Sequence, residues 1–142
     1  MVFDYSGGGA FQPLRDYLFG GAVNSSSPTQ GVGYTTGAGA VVTQATNKST
    51  AVTINNVCGQ ITLNAASLGA TTTVAFTVNN NTVSANDVVV VNIKSGATAS
   101  SYQLNVGTVT NGTFTIELRN YTGGALAEAL VLNFAVFNGS AS

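Results

Sequence analysis

The chain contains no histidine and no tryptophan, one cysteine and two prolines. Each absence removes a class of chemistry. Without histidine, a Ser-His-Asp triad, a Cys-His dyad and a His-ligated metal site are all impossible. The lone Cys58 can close no internal disulfide and build no thiolate cluster, which excludes a disulfide-framed scaffold. Charge is equally scarce. Four Lys or Arg and five Asp or Glu make up 6% of 142 residues, against about 25% in an average domain. Arg15, Lys48, Lys94 and Arg119 are too few and too scattered to grip nucleic-acid phosphates or an anionic membrane surface. Neither nucleic acid nor membrane is therefore an expected partner. No apolar run approaches the ~18 residues of a membrane-spanning helix. The longest, 88–91 and 130–132, are strand-sized. The opening residues Met1-Val2-Phe3-Asp4-Tyr5 show no basic region leading into an apolar stretch, so no signal peptide is expected.

What is present suffices for a folded domain. The chain is 44% hydrophobic and 8% aromatic, above the compositions that stay disordered. A domain of this length buries about two-thirds of its unfolded surface. The remaining surface is rich in Ser, Thr, Asn, Gln and Gly and carries almost no charge.

The text changes texture near residue 36. Residues 1–36 hold Gly7-Gly8-Gly9, Gly20-Gly21 and Ser25-Ser26-Ser27-Pro28, and read as an extended arm. Inside it, Pro13 suits a first helical position and Gly20 an exit, which predicts a short helix near 13–19. Leu14, Tyr17 and Leu18 share one face, with Phe19 beside them. One or two turns are marginal alone in water. The peptide must dock, either on its own body or on a neighbouring subunit.

Residues 37–142 read as an all-β body. Ala40–Gln44, Ala51–Ile54 and Cys58–Leu63 are β-branched or alternating runs, with Asn55-Asn56 a candidate two-residue hairpin turn. Thr72, Val74, Phe76 and Val78 alternate with polar residues. Val88–Ile93 is apolar on nearly both faces, which predicts a central strand covered on both sides. Tyr102, Leu104 and Val106 precede Asn111-Gly112, the strongest turn signal in the chain. Phe114, Ile116 and Leu118 follow, then Leu130, Leu132, Phe134 and Val136. Ala125–Ala129 reads as a short helical turn. About eight strands at this spacing predict one antiparallel β-sandwich, jelly-roll-like, in which an immunoglobulin-like order is also open. An internal echo links Phe76-Thr77-Val78 and 88–93 to Phe114-Thr115-Ile116 and 130–136, suggesting two similar strand-loop-strand units.

Candidate chemistry is thin. Gly31-Val32-Gly33 lacks both G-x-G-x-x-G and a following Gly-Lys, so it is a linker and no nucleotide loop. Asp87, Glu117 and Glu128 are the carboxylates that could pair as a glycosidase would require. Asp87 is better explained by turn bonding and Glu117 by a polar strand face beside Arg119. Cys58 has nothing to activate it and reads as a structural thiol. Asn-x-Ser/Thr occurs at Asn24, Asn47, Asn80, Asn111, Asn120 and Asn138, as expected by chance in so Asn- and Thr-rich a chain. Tyr121, beside Gly123-Gly124, is the best-placed aromatic for a surface contact. No catalytic residue, cofactor or metal is expected.

From Gly39-Ala40-Val41-Val42-Thr43-Gln44 through Asn47-Lys48-Ser49-Thr50, Val52-Thr53-Ile54-Asn55 and Cys58-Gly59-Gln60-Ile61-Thr62-Leu63-Asn64, the chain resembles a domain common in tailed-bacteriophage virion proteins. Phe76-Thr77-Val78, the 87–92 strand and the closing 128–136 strand extend the resemblance over roughly residues 37–138. It implies a capsid decoration (cement), head-fibre or tail-fibre module and supplies no catalytic residue. The expected function is capsid decoration: binding the major capsid protein on the capsid exterior, as a homo-oligomer. Leu14, Tyr17, Leu18 and Phe19 would form the docking peptide. The alternative is a fibre or receptor-binding module that touches host glycans through Tyr121.

Overall fold

The computed structural model describes residues 24–29 and 31–141. The expected helix near 13–19, with Leu14, Tyr17, Leu18 and Phe19, lies outside them. The chain divides into two units, Met1–Gly33 and Tyr34–Ser142. In the first, the described residues form no helix or strand, and hydroxyls take up the backbone. Ser27 N donates to Ser25 Oγ at 3.4 Å and Thr29 N to Ser27 Oγ at 3.3 Å.

The second unit is all-β. Its strands are β1 (Gly39–Thr43), β2 (Val52–Thr53), β3 (Cys58–Thr62), β4 (Thr73–Asn79), β5 (Val88–Ser95), β6 (Tyr102–Thr110), β7 (Thr113–Asn120) and β8 (Val131–Phe137). They form two four-stranded sheets, sheet A in the order β1-β3-β8-β5 and sheet B in the order β2-β4-β7-β6. The chain crosses between the sheets six times, and four of the crossings, the two-strand ribbons β1–β2, β3–β4, β5–β6 and β7–β8, join strands at matching positions in the two orders. Ribbon β1–β2 lies parallel to β3–β4, which runs antiparallel to β7–β8, which runs antiparallel to β5–β6. The internal echo now has a meaning. Phe76–Val78 and Phe114–Ile116 are paired neighbours in sheet B, and the strands that follow them, β5 and β8, are paired neighbours in sheet A.

A jelly roll wraps one long hairpin and sets its first strand beside its last. Here β6–β7 nests inside β5–β8 in that way, but β1 lies against β3. The nested pattern covers half of the sandwich.

Alternation supplies the core. Phe114, Ile116 and Leu118 of β7 and Leu132, Phe134 and Val136 of β8 are buried, while their strand neighbours face outward. Phe114 and Phe134 meet across the two sheets, with centroids 5.6 Å apart and planes at 49°, a tilted aromatic contact. Phe134 is also the pairing partner of Gly59, where the ring lies over the glycine. A Cβ on Gly59 would fall 2.5 Å from Ala40 O, 2.9 Å from Ile54 Cδ1 and 3.1 Å from Phe134 Cε1. Backbone cannot yield as a side chain can. Gly59→Ala should therefore destabilise by about 1–3 kcal/mol through overpacking, read as a lower midpoint in urea. An unchanged midpoint would contradict this packing.

The Asn111-Gly112 turn joins β6 to β7, with Thr110 opposite Thr113 and Gly112 at φ 81°. Positive φ at the second central position alone marks a type II turn.

Four expectations are corrected. The sandwich is not antiparallel throughout: β1 pairs with β3 and β2 with β4 in parallel, because each pair is joined through a strand of the other sheet and not by a hairpin. Asn55-Asn56 does not make a hairpin, because β2 belongs to sheet B and β3 to sheet A. The two asparagines anchor a crossing: Asn81 N donates to Asn55 Oδ1 at 3.0 Å, and Asn56 Nδ2 donates to Ala38 O at 3.2 Å. The segment 125–129 is no helical turn. Leu126 exchanges both backbone hydrogen bonds with Leu68 (2.8 and 3.0 Å), closing the sandwich with an isolated bridge. Finally, β5 is an edge strand covered on one face. Val89 is buried, whereas Val88 and Val90 are 59% and 51% exposed.

Candidate functional site

The outer faces of the two sheets differ in chemistry. On sheet A the outward rows run across strands. Val88 of β5 is paired with Phe137 of β8. The next row is Cys58, Ala135 and Val90, and the next is Gln60, Asn133 and Asn92. Val41 of β1 lies beside Gln60. Tyr34 joins this face: its hydroxyl donates to Val136 O and its ring lies 6.3 Å from that of Phe137. Burial raises the Tyr34 phenol, with smaller contributions from Cys58 and Asp87. Seven large hydrophobic side chains are exposed among the described residues, and five of them, Tyr34, Val41, Val88, Val90 and Phe137, belong to this face. The charged side chain of its strands is Lys94, at the end of β5 away from Phe137. Cys58 is a free, half-buried thiol near the middle.

Sheet B presents the opposite surface. Its outward positions are Thr53, Thr73, Thr77, Asn79, Gln103, Asn105, Thr113, Thr115, Glu117 and Arg119, with Ala75 the apolar exception. Thr73, Gln103, Asn105, Glu117 and Arg119 line a shallow groove of about 170 Å³. Tyr121 stands at its end. The Arg119 guanidinium lies 4.8 Å from the Tyr121 ring centroid, and the Tyr121 hydroxyl donates to Gln103 Oε1. The loops beneath Tyr121 are strained. Among the described residues, the positive-φ non-glycine residues, Thr71 and Ser100, sit in the two segments that hold it: Thr71 N donates to Thr122 O, and Tyr121 N to Ser101 O.

A charged cluster that composition did not reveal lies where the connections leave β1, β3 and the segment before β8. Lys48 is 3% exposed. Its Nζ donates to the carbonyls of Asn64 (2.5 Å) and Glu128 (2.6 Å). Buried Gln44 closes the same knot: its Nε2 donates to Lys48 O and Thr50 O, and its Oε1 accepts from Asn64 N. Burial lowers the Lys48 pKa, and the Glu128 carboxylate partly opposes the shift. Glu128 Oε1 accepts from the amide and hydroxyl of Thr98. The Thr98 hydroxyl first, then that of Tyr102, holds the Glu128 carboxyl below its ordinary 4.5. Burial, then Glu128, pushes the Tyr102 phenol above its usual range. Tyr102 Oη and Glu128 Oε2 are both buried and act on each other's titration, yet neither closes a hydrogen bond of ordinary geometry.

The knot ties three connections together. Its pH signature follows from Glu128. A carboxyl whose folded pKa is depressed contributes stability that is complete above 4.5 and is lost as pH falls through the folded value. The chain should unfold more readily in urea below about pH 4.5, and Glu128→Gln should flatten that part of the profile. A wild-type slope in the variant would remove Glu128 from the account.

The carboxylates Asp87, Glu117 and Glu128 serve three places. Asp87 accepts from Ser84 N (2.8 Å) and Gly139 N (3.0 Å), fastening the chain after β8 to the start of β5. Glu128 belongs to the lysine knot, and Glu117 to the sheet B groove. Among the described residues, no three of His, Cys, Asp and Glu gather closely enough to hold a metal.

Three of the six Asn-x-Ser/Thr triplets form the same turn. Asn47, Asn80 and Asn120 each accept, through Oδ1, both the amide and the hydroxyl of the residue two places on. This is the Asx turn that competes with ladder bonding and ends strands. Asn80 and Asn120 are buried. The repeated triplet was the available signal for these sites.

Comparison with described protein families, curated proteins and solved structures finds no match.

Proposed function

We propose that the chain is a non-enzymatic virion structural protein that decorates a tailed-phage capsid. In this reading the body seats the outer face of sheet A on the major capsid protein, covers a seam between shell subunits and turns sheet B toward water. The observation that carries it is the contrast between the faces: five exposed large hydrophobics on one and a surface of Thr, Asn, Gln, Glu and Arg on the other. Monomeric proteins rarely leave a contiguous apolar patch uncovered unless it is used. The near absence of charge on that face suits a dry, extensive contact, and the resemblance to phage virion domains names the occupant.

The segment before Tyr34 supplies a second attachment. Leu14, Tyr17, Leu18 and Phe19 form its docking peptide, bound to a shell protein or to another copy in a homo-oligomer. Two linked weak contacts give an avidity that neither gives alone. The jelly-roll kinship of the body rests on its nested β5–β8 half. The fibre alternative rests on Tyr121 and the sheet B groove.

Co-sedimentation with capsids of the encoding virus, stripped of accessory proteins, tests the reading. The full chain should bind saturably, and a Leu14→Ser/Leu18→Ser variant should bind more weakly with an unchanged melting temperature. Absence of saturable binding by the full chain would overturn decoration.

A further inference from the structure

We infer that the groove on the outer face of sheet B is a binding subsite for a single neutral pyranose unit. Its lining excludes most other ligand chemistries. Five polar side chains, Thr73, Gln103, Asn105, Glu117 and Arg119, form its walls, so an apolar ligand finds nothing to bury against. Glu117 opposes an anion and Arg119 a cation. A sugar ring suits both, because neighbouring hydroxyls donate to a carboxylate and accept from a guanidinium or an amide.

The groups are available. No hydrogen bond between described residues engages the side chains of Thr73, Asn105 or Glu117. Tyr121 takes up Gln103 Oε1, which leaves the Gln103 amide nitrogen as a donor. The Tyr121 ring, 52% exposed, stands beside the groove with Arg119 stacked on it and offers a sugar ring an apolar edge at the rim. A rigid ring with a polar tip is the side chain that gives contact area at little conformational cost.

The backbone makes room for it. The pairing of β6 with β7 shifts between Val106 and Val109, and Gly107 lies inside the shift. A Cβ there would fall 2.6 Å from Thr115 Oγ1 and 3.3 Å from Glu117 Oε1. The missing side chain leaves the Glu117 carboxylate uncovered at the end of the groove. The volume of about 170 Å³ lies below that of clefts for drug-sized ligands, roughly 300 Å³ and up, and accommodates one ring and no extended chain. Affinity per site should be about millimolar.

This subsite uses sheet B, whereas capsid docking uses sheet A, so either can fail without the other. The experiment is an amide ¹H–¹⁵N NMR titration of the full chain with methyl β-galactopyranoside, methyl α-mannopyranoside and N-acetylglucosamine, each to about 50 mM, well above the expected constant. At least one should give saturable shifts confined to the 103–107 and 115–121 segments and residue 73. Tyr121→Ala and Asn105→Ala, both at exposed positions, should each weaken binding at least tenfold. Val90→Ser, on the opposite sheet, should bind like wild type. Linear shifts spread over the surface, or saturation that survives Tyr121→Ala unchanged, would overturn the assignment.

Discussion

Asn120→Asp should lower the stability of the chain by about 3–5 kcal/mol, although it replaces one atom by another of nearly the same size. Asn120 is fully buried. Its Oδ1 accepts from the amide and hydroxyl of Thr122, and a carboxylate could keep both bonds. Its Nδ2 donates to three carbonyls, Leu68 O (3.1 Å), Gly69 O (3.0 Å) and Gly124 O (2.8 Å). An aspartate offers those carbonyls no donor and sets a negative charge against them. Domains are stable by only about 5–15 kcal/mol, so the melting temperature should fall by roughly 10–20 °C. The sign of the pH dependence is fixed. The folded state would raise the aspartate's pKa, so the penalty is present above that raised value. It should shrink as pH falls through it, and below about 3.9, where the unfolded aspartate is also protonated, only the cost of the missing N–H donors should remain. Melting followed by circular dichroism from pH 3 to 7 would show it. A fall smaller than about 3 °C at pH 7 would mean that the Asn120 network does not hold the 69–72 and 120–124 loops together.

The second large effect is on docking. Val88→Lys/Val90→Lys places two ammonium groups on the exposed face of an edge strand. Both side chains are already more than half exposed, so the monomer should keep its stability to within about 1 kcal/mol. The occupied interface would instead have to bury two unpaired charges. Capsid affinity should fall at least a hundredfold, about 2.7 kcal/mol. Paired lysines on sheet B, at Thr77 and Asn79, should leave binding nearly unchanged. Equal losses from both faces would contradict the assignment of sheet A. The same reasoning predicts that the free chain gains solubility from the substitution, since exposed apolar edge strands invite self-association.

How far the fold was legible depended on whether a segment carried phase. Residues 113–119 alternate strictly, and the structure buries Phe114, Ile116 and Leu118 as that alternation demands. Residues 88–91 are four valines in a row and carry no phase. A strand covered on both faces and an edge strand with one face left for a partner have the same sequence, so the run alone does not distinguish a central strand from an edge. Asn55-Asn56 was legible as a turn, but turn chemistry is local. It does not say whether the next strand returns to the same sheet or crosses to the other.

The candidate surfaces follow the same rule. The polar face of β7, with Glu117 beside Arg119, could be read from alternation alone. The gathering of Thr73, Gln103 and Asn105 around that pair needed the register of three strands. Lys48 gave no sign of burial, because it follows Asn47 in a polar turn. Its enclosure by the Asn64 and Glu128 carbonyls depends on residues up to 80 positions away in the chain. Leu14, Tyr17, Leu18 and Phe19 stand on sequence spacing alone.

The central claim is that sheet A is covered in the assembled particle, and the chain carries its own reporter. Cys58 is the sole cysteine and lies half-buried on that face between Gly39 and Ala135. The alkylation rate of Cys58 should be measured by intact mass for the free chain and for the chain bound to capsids. The account predicts at least a tenfold slower reaction on the particle, and the same rate in both states would contradict it.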